Sequence, residues 1–263
     1  MSDPREVLNR TGSPPDAEIR YGPGPEQIAD LRLPLRRGPV STVVLLHGGF
    51  WRSEYDRNQV RPMADGLAEA GYAVATPEYA RTGAGGGWPS TFDDVRLAVA
   101  RLPELVGDSV DCNDVVLVGH SAGGHLALWC AGLDLLDAYG GVVALAPVAD
   151  LVAAFRLDLD GGAVRALLGG SPEQVPDHYD AADPCRLPVP TGRVVVLHGE
   201  EDAQVPVAGS IRYAARTGAD LRLLPGVEHF GLIDPTSAAW PAVLSAVRAV
   251  RDGRHPQGLA SSP

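Results

Sequence analysis

The sequence predicts an α/β fold with a mostly parallel central sheet, helices on both faces and a small cap region. Short β-branched apolar runs alternate with longer stretches of helical period, the pattern of βαβ units whose strands are buried on both faces. A chain of 263 residues with 45% hydrophobic content can bury one sizeable core, so a single domain over 1–263 is expected.

In chain order, residues 1–27 carry Pro4, Pro14, Pro15, Pro23 and Pro25 among polar residues and read as a loosely ordered lead-in, as does the end, 252–263. Strands are expected at Val40–Leu46, Ala73–Thr76, Val115–Val118, Val142–Leu145, Val194–Leu197 and Leu221–Leu224. Met63–Ala70 has helical period and stops at Gly71. Asp93–Leu102 places Val95, Ala98, Val99 and Leu102 on one face, after a Thr91 suited to capping. A third helix, Ala122–Leu133, opens directly out of a strand. Residues 150–190 break the rhythm with glycine pairs at 161–162 and 169–170 and several prolines, which is where a short cap belongs.

Composition excludes several functions. A net charge of -11 without a basic cluster argues against nucleic acid or an anionic membrane as partner. Every basic residue is Arg, so Schiff-base and P-loop lysine chemistry are ruled out. Cys112, Cys130 and Cys185 lack C-x-x-C spacing, and the seven histidines show no H-x-H or H-x-x-x-H, so no metal and no cofactor is expected. The charged first ten residues lack an apolar signal region, and no run approaches the roughly 18 apolar residues of a spanning helix. The expectation is a soluble cytoplasmic protein, monomer or homodimer, acting on a small molecule.

Three segments carry chemistry. Val115–Val118 runs into Gly119, His120, Ser121, Ala122 and Gly123 and then a helix, a G-x-S-x-G in strand-turn-helix context. Such a strained turn lifts a serine oxygen above the sheet while the glycines let strand and helix cross closely. The first strong strand ends in His47-Gly48-Gly49-Phe50-Trp51, a loop of small residues from which Gly49 and Phe50 are expected to offer N–H groups to an oxyanion, with Ala122 adding one from the elbow. Val194–Leu197 leads into His198, Gly199, Glu200, Glu201 and Asp202, and Pro225-Gly226 is followed by Glu228-His229-Phe230. The order Ser, acid, His nominates His229 as general base and Asp202 as its orienter, with Glu200 and Glu201 as alternatives within the turn. His47 and His120 read as loop-shaping residues, and His125 and His198 as packed ones.

With these motifs in place the chain resembles the α/β-hydrolase superfamily over about residues 30–250. His47–Trp51 is similar to the H-G-G-x-W of the kynurenine formamidase and carboxylesterase branch, and Gly119–Leu126, Glu78–Arg81 and Gly85–Pro89 resemble that branch too. The resemblance implies hydrolysis of an aryl formamide through an acyl-enzyme on Ser121. Phe50, Trp51 and Trp88 are candidate aromatic walls, with Trp51 and Trp88 the expected substrate-binding residues; packing under the loops is the alternative. A short-chain carboxylesterase or deacetylase would use the same three residues. A ligand-binding pseudo-hydrolase would have no need to keep all three.

Overall fold

The structure, a computed structural model, describes residues 4–35, 40–107 and 114–252. Eight strands form one sheet: β1 (Ala17–Arg20), β2 (Ile28–Arg32), β3 (Thr42–Leu46), β4 (Ala73–Pro77), β5 (Val115–His120), β6 (Tyr139–Leu145), β7 (Arg193–Gly199) and β8 (Asp220–Leu224), in the order β1-β2-β4-β3-β5-β6-β7-β8. The six strands from β3 to β8 are those read from periodicity, and all pair in parallel. β1 and β2 add an antiparallel edge that periodicity did not reveal. β1 is short and largely exposed, so it carries no apolar run to signal it. The chain has the α/β-hydrolase fold.

The helices are α1 (Arg61–Glu69), α2 (Ser90–Gly107), α3 (Ala122–Gly132), α4 (Leu151–Arg156), α5 (Ala163–Leu168), α6 (Pro176–Ala182), α7 (Ala208–Thr217) and α8 (Trp240–Asp252). Alternation along the strands sorts them into two layers. Val44, Leu46 and Leu117 face a core shared with α2 and α3, whereas Val43, Leu45, Val116 and Val118 face α1 and α8. No helix among the described residues is long and apolar enough to cross a membrane.

Two expectations about ends are corrected. Within the described part of the lead-in, Pro4–Asn9 forms a 3-10 turn whose Val7 is only 2% exposed, in a cluster with Val60 and Met63. Helix α2 starts earlier than expected, with Thr91 inside its first turn accepting the Gly87 N–H and donating to the Ala80 carbonyl. It also runs on through Pro103, where burial of Leu102 and Val106 outweighs the lost hydrogen bond. The expectation for the tail falls beyond Asp252, and that for Cys112 also lies outside the described residues.

The stretch expected as a cap holds α4, α5 and α6. Asp183, 1% exposed, ties its two ends: Oδ1 accepts the Cys185 N–H at 3.0 Å and Oδ2 the Val152 N–H at 3.3 Å. Burial pushes its carboxyl up to about 6, and the Arg186 guanidinium, at 4.0 Å, does not offset that. The folded protein therefore holds this proton over a range where the unfolded chain has released it, so stability falls as pH rises from about 4 to about 6 and is level above. Asp183→Asn should remove this slope: relative to wild type, the variant should gain on the order of 2–3 kcal/mol between pH 4 and pH 7 in denaturant titrations. An equal difference at both pH values would show that Asp183 ionises normally.

Candidate active site

The site lies where β5 delivers its last residues to α3. Ser121 adopts φ 57°, ψ -116°, a conformation that costs a side-chain-bearing residue energy. The turn permits this because nothing larger than glycine fits beside it. A β-carbon on Gly119 would stand 2.2 Å from the Gly123 carbonyl oxygen, and one on Gly123 2.2 Å from that of Leu46. Ser121 is held at both ends of its peptide: its N–H donates to the Leu145 carbonyl at 2.8 Å and its carbonyl accepts the His125 N–H at 3.0 Å.

The loop after β3 turns through three successive left-handed residues, Gly49 (φ 97°), Phe50 (φ 47°) and Trp51 (φ 58°). Thr82 pins the far side, its N–H and Oγ1 both donating to the Trp51 carbonyl. Gly48 lies against the elbow, since its β-carbon would come within 3.1 Å of the Ser121 Cβ. Below the loop a buried ionic network holds His47. Its Nε2 meets Glu78 Oε1 at 2.8 Å, Tyr79 stacks on the ring at 4.3 Å, and Glu78 also accepts the Arg57 N–H. Burial alone would raise the Glu78 carboxyl; the His47, Arg57 and Arg81 interactions outweigh it and hold it below its ordinary value.

Within the acid turn it is Asp202 that meets His229. Its Oδ2 lies 2.6 Å from His229 Nδ1, while Glu200 and Glu201 are exposed. Oδ1 accepts the N–H groups of Gln204 and Val205, both at 2.8 Å, and His198 Nε2 stands 3.2 Å from Oδ2. Burial would raise this carboxyl, but the His198 and His229 hydrogen bonds prevail and hold it well below the usual carboxylate range. An ionised Asp202 accepts a proton-bearing Nδ1, which leaves His229 Nε2 as the lone-pair nitrogen. His120 donates from Nε2 to the His229 carbonyl at 3.1 Å, and burial first, then the neighbouring His229, lowers its imidazole to about 3, so it stays neutral.

Ser121 and His229 line one pocket of about 210 Å³, with Gly49, Phe50, Tyr55, Gln59, Phe230, Gln204 and Asp160. Among the described residues no hydrogen bond joins the serine oxygen to the ring. Leu8 and Arg5 complete the wall. No sequence signal marked those two, because their place depends on a segment folding back across the chain. A larger cavity of about 640 Å³, between α4 and α7, contains neither Ser121 nor His229.

The expectation of Trp51 and Trp88 as aromatic walls is corrected. Trp51 is fully buried, edge-on to His125 at 5.1 Å and to Phe50 at 6.3 Å. Trp88 packs on Phe92 and His178, and the Gly85–Pro89 segment does not reach the pocket. Trp51 packs its whole surface under the loop, and Trp88 is half-buried against the same core. Of the three aromatics, Phe50 alone lines the site, joined by Phe230. Trp51→Ala should accordingly lower unfolding free energy by about 3–5 kcal/mol as a core truncation would. A fully stable variant altered only in KM would restore Trp51 to the substrate.

Comparison with known proteins agrees with this architecture. Esterase LipQ of Mycobacterium tuberculosis is 27% identical, the match covering 76% of this chain and 52% of that one, so the chain spans about half the length of this curated relative. Esterase B of Lactobacillus rhamnosis superposes with a TM-score of 0.75 at 20% identity, over 95% of this chain and 90% of that one. A carbohydrate esterase from gut microbiota superposes at 0.74 and 17% identity, over 92% and 97%. The BD-FAE family model matches residues 29–216, and the chain belongs to that family.

Proposed function

We propose that this protein is a serine carboxylesterase acting on esters of small acids. The observation that carries the reading is the arrangement of Ser121 on a strained elbow, sharing a pocket with a His229 whose Nδ1 is bound to buried Asp202. In this reading His229 Nε2 takes the Ser121 proton as the oxygen attacks the ester carbonyl. The developing oxyanion is met by N–H groups of Gly49 and Phe50 and by that of Ala122 at the start of α3. His229 then protonates the leaving alcohol, and a water, activated by the same base, releases the acid from Ser121. Asp202 keeps the tautomer and stabilises the imidazolium.

Ester is preferred to aryl formamide because neither tryptophan that would hold a flat amide lines the pocket, and because the curated relative is an esterase. The small pocket favours formyl, acetyl or butyryl groups over fatty chains.

The test is a hydrolysis panel of p-nitrophenyl acetate, butyrate and laurate with N-formylkynurenine. Acetate and butyrate should be turned over best; preference for laurate, or for the formamide, would overturn the substrate assignment. Ser121→Ala should abolish turnover while leaving the melting temperature near that of wild type. Asp202→Asn should cost on the order of 10⁴-fold in kcat, the size of the loss when a protease triad carries the same change. Glu200→Gln and Glu201→Gln should stay within a few fold of wild type; a crippling effect there with a silent Asp202→Asn would reassign the acid.

A further inference from the structure

The 3-10 turn Pro4–Asn9 lies across the face that carries the site. Val7 anchors it in the core shared by Val60, Met63 and Leu232. Arg10 fastens its end, donating from Nη1 to Asp234 Oδ1 at 2.6 Å and to Thr236 Oγ1 at 3.0 Å, directly after the 3-10 turn His229–Ile233. The turn that holds the histidine is thus packed against the turn that holds Leu8. Leu8 is half-buried and faces the same pocket as Ser121, His229 and Phe230.

We propose that Leu8 is a specificity-determining residue that walls the alcohol side of the substrate. This rests on the serine esterase reading. When the tetrahedral intermediate collapses, the bond between carbonyl carbon and alkoxy oxygen breaks, and the proton on His229 Nε2 passes to that oxygen. The alcohol must therefore leave beside His229, whose turn packs against the turn that carries Leu8. On this proposal the acyl group, held by the Ser121 bond and the oxyanion loop, lies on the other side. Leu8 then limits the bulk of the alcohol, while leaving the length of the acyl chain to other walls.

The experiment compares the full-length wild type with Leu8→Ala and Leu8→Trp on two series, ethyl, benzyl and 2-naphthyl acetate, and p-nitrophenyl acetate, butyrate and hexanoate. In Leu8→Ala the kcat/KM ratio of 2-naphthyl to ethyl acetate should rise at least about fivefold, and in Leu8→Trp it should fall by a similar factor, as changes of pocket volume do. Ratios within the acyl series should move less than about twofold. Glu6→Ala, an exposed change outside the pocket, should alter neither series. If Leu8→Ala fails to fold, Leu8→Trp decides alone. Alcohol ratios that stay at wild-type values in the folded variants, or a shift confined to the acyl series, would overturn the assignment while ester hydrolysis itself stood. A wild type that hydrolyses none of these esters would instead overturn the esterase reading, and this wall with it.

Discussion

Ser121 can stand where it does only because backbone crosses backbone within contact distance around it. β-carbons on Gly119 and Gly123 would each sit 2.2 Å from a carbonyl oxygen, so strand, turn and helix share one volume that only glycine leaves open. A non-glycine residue at φ 57°, ψ -116° costs on the order of 1–3 kcal/mol, and it persists because surrounding structure over-determines it. Here the determinants are the Ser121 N–H bonded to Leu145 and its carbonyl bonded to His125, with parallel strands on both sides of β5. The fold's central pairings and the strained placement of one serine are the same constraint.

Around that turn, buried histidines play different parts according to what each ring nitrogen meets. His120 is neutral and braces the backbone of His229. His198 shares Asp202 with His229 and is itself fixed by Ser210 and the Val205 carbonyl, so the carboxylate receives hydrogen bonds on both oxygens. His47 belongs to a separate ionic cluster with Glu78 that underpins the loop of Gly49 and Phe50. Orientation is thereby supplied from beneath the site, leaving the pocket to substrate.

What the sequence disclosed and what it did not divide along the range of the interactions. The six parallel strands and the elbow are local patterns, readable from β-branched runs and from glycine spacing, and the order of serine, acid and histidine narrowed the acid to one turn, in which Asp202 stands against His229. The two tryptophans misled because an aromatic beside a motif can face either the ligand or the core, and only tertiary packing on His125 and Phe92 decides which. The strap at Pro4–Arg10 was hidden for a related reason. Pro4 signals irregular backbone, but the strap's place comes from Val7 and Arg10 meeting residues more than fifty positions away. β1 and β2 likewise owe their place to pairing at the sheet edge rather than to any apolar run of their own.

Ser121 is, on the proposed function, the activated nucleophile of this pocket, and covalent labelling tests that directly. Treating the pure protein with a fluorophosphonate and mapping the adduct by mass spectrometry should give one modified residue, Ser121, with label and loss of ester hydrolysis rising in step. An adduct on another residue that accounts for the lost activity, or full labelling of Ser121 with activity retained, would contradict it.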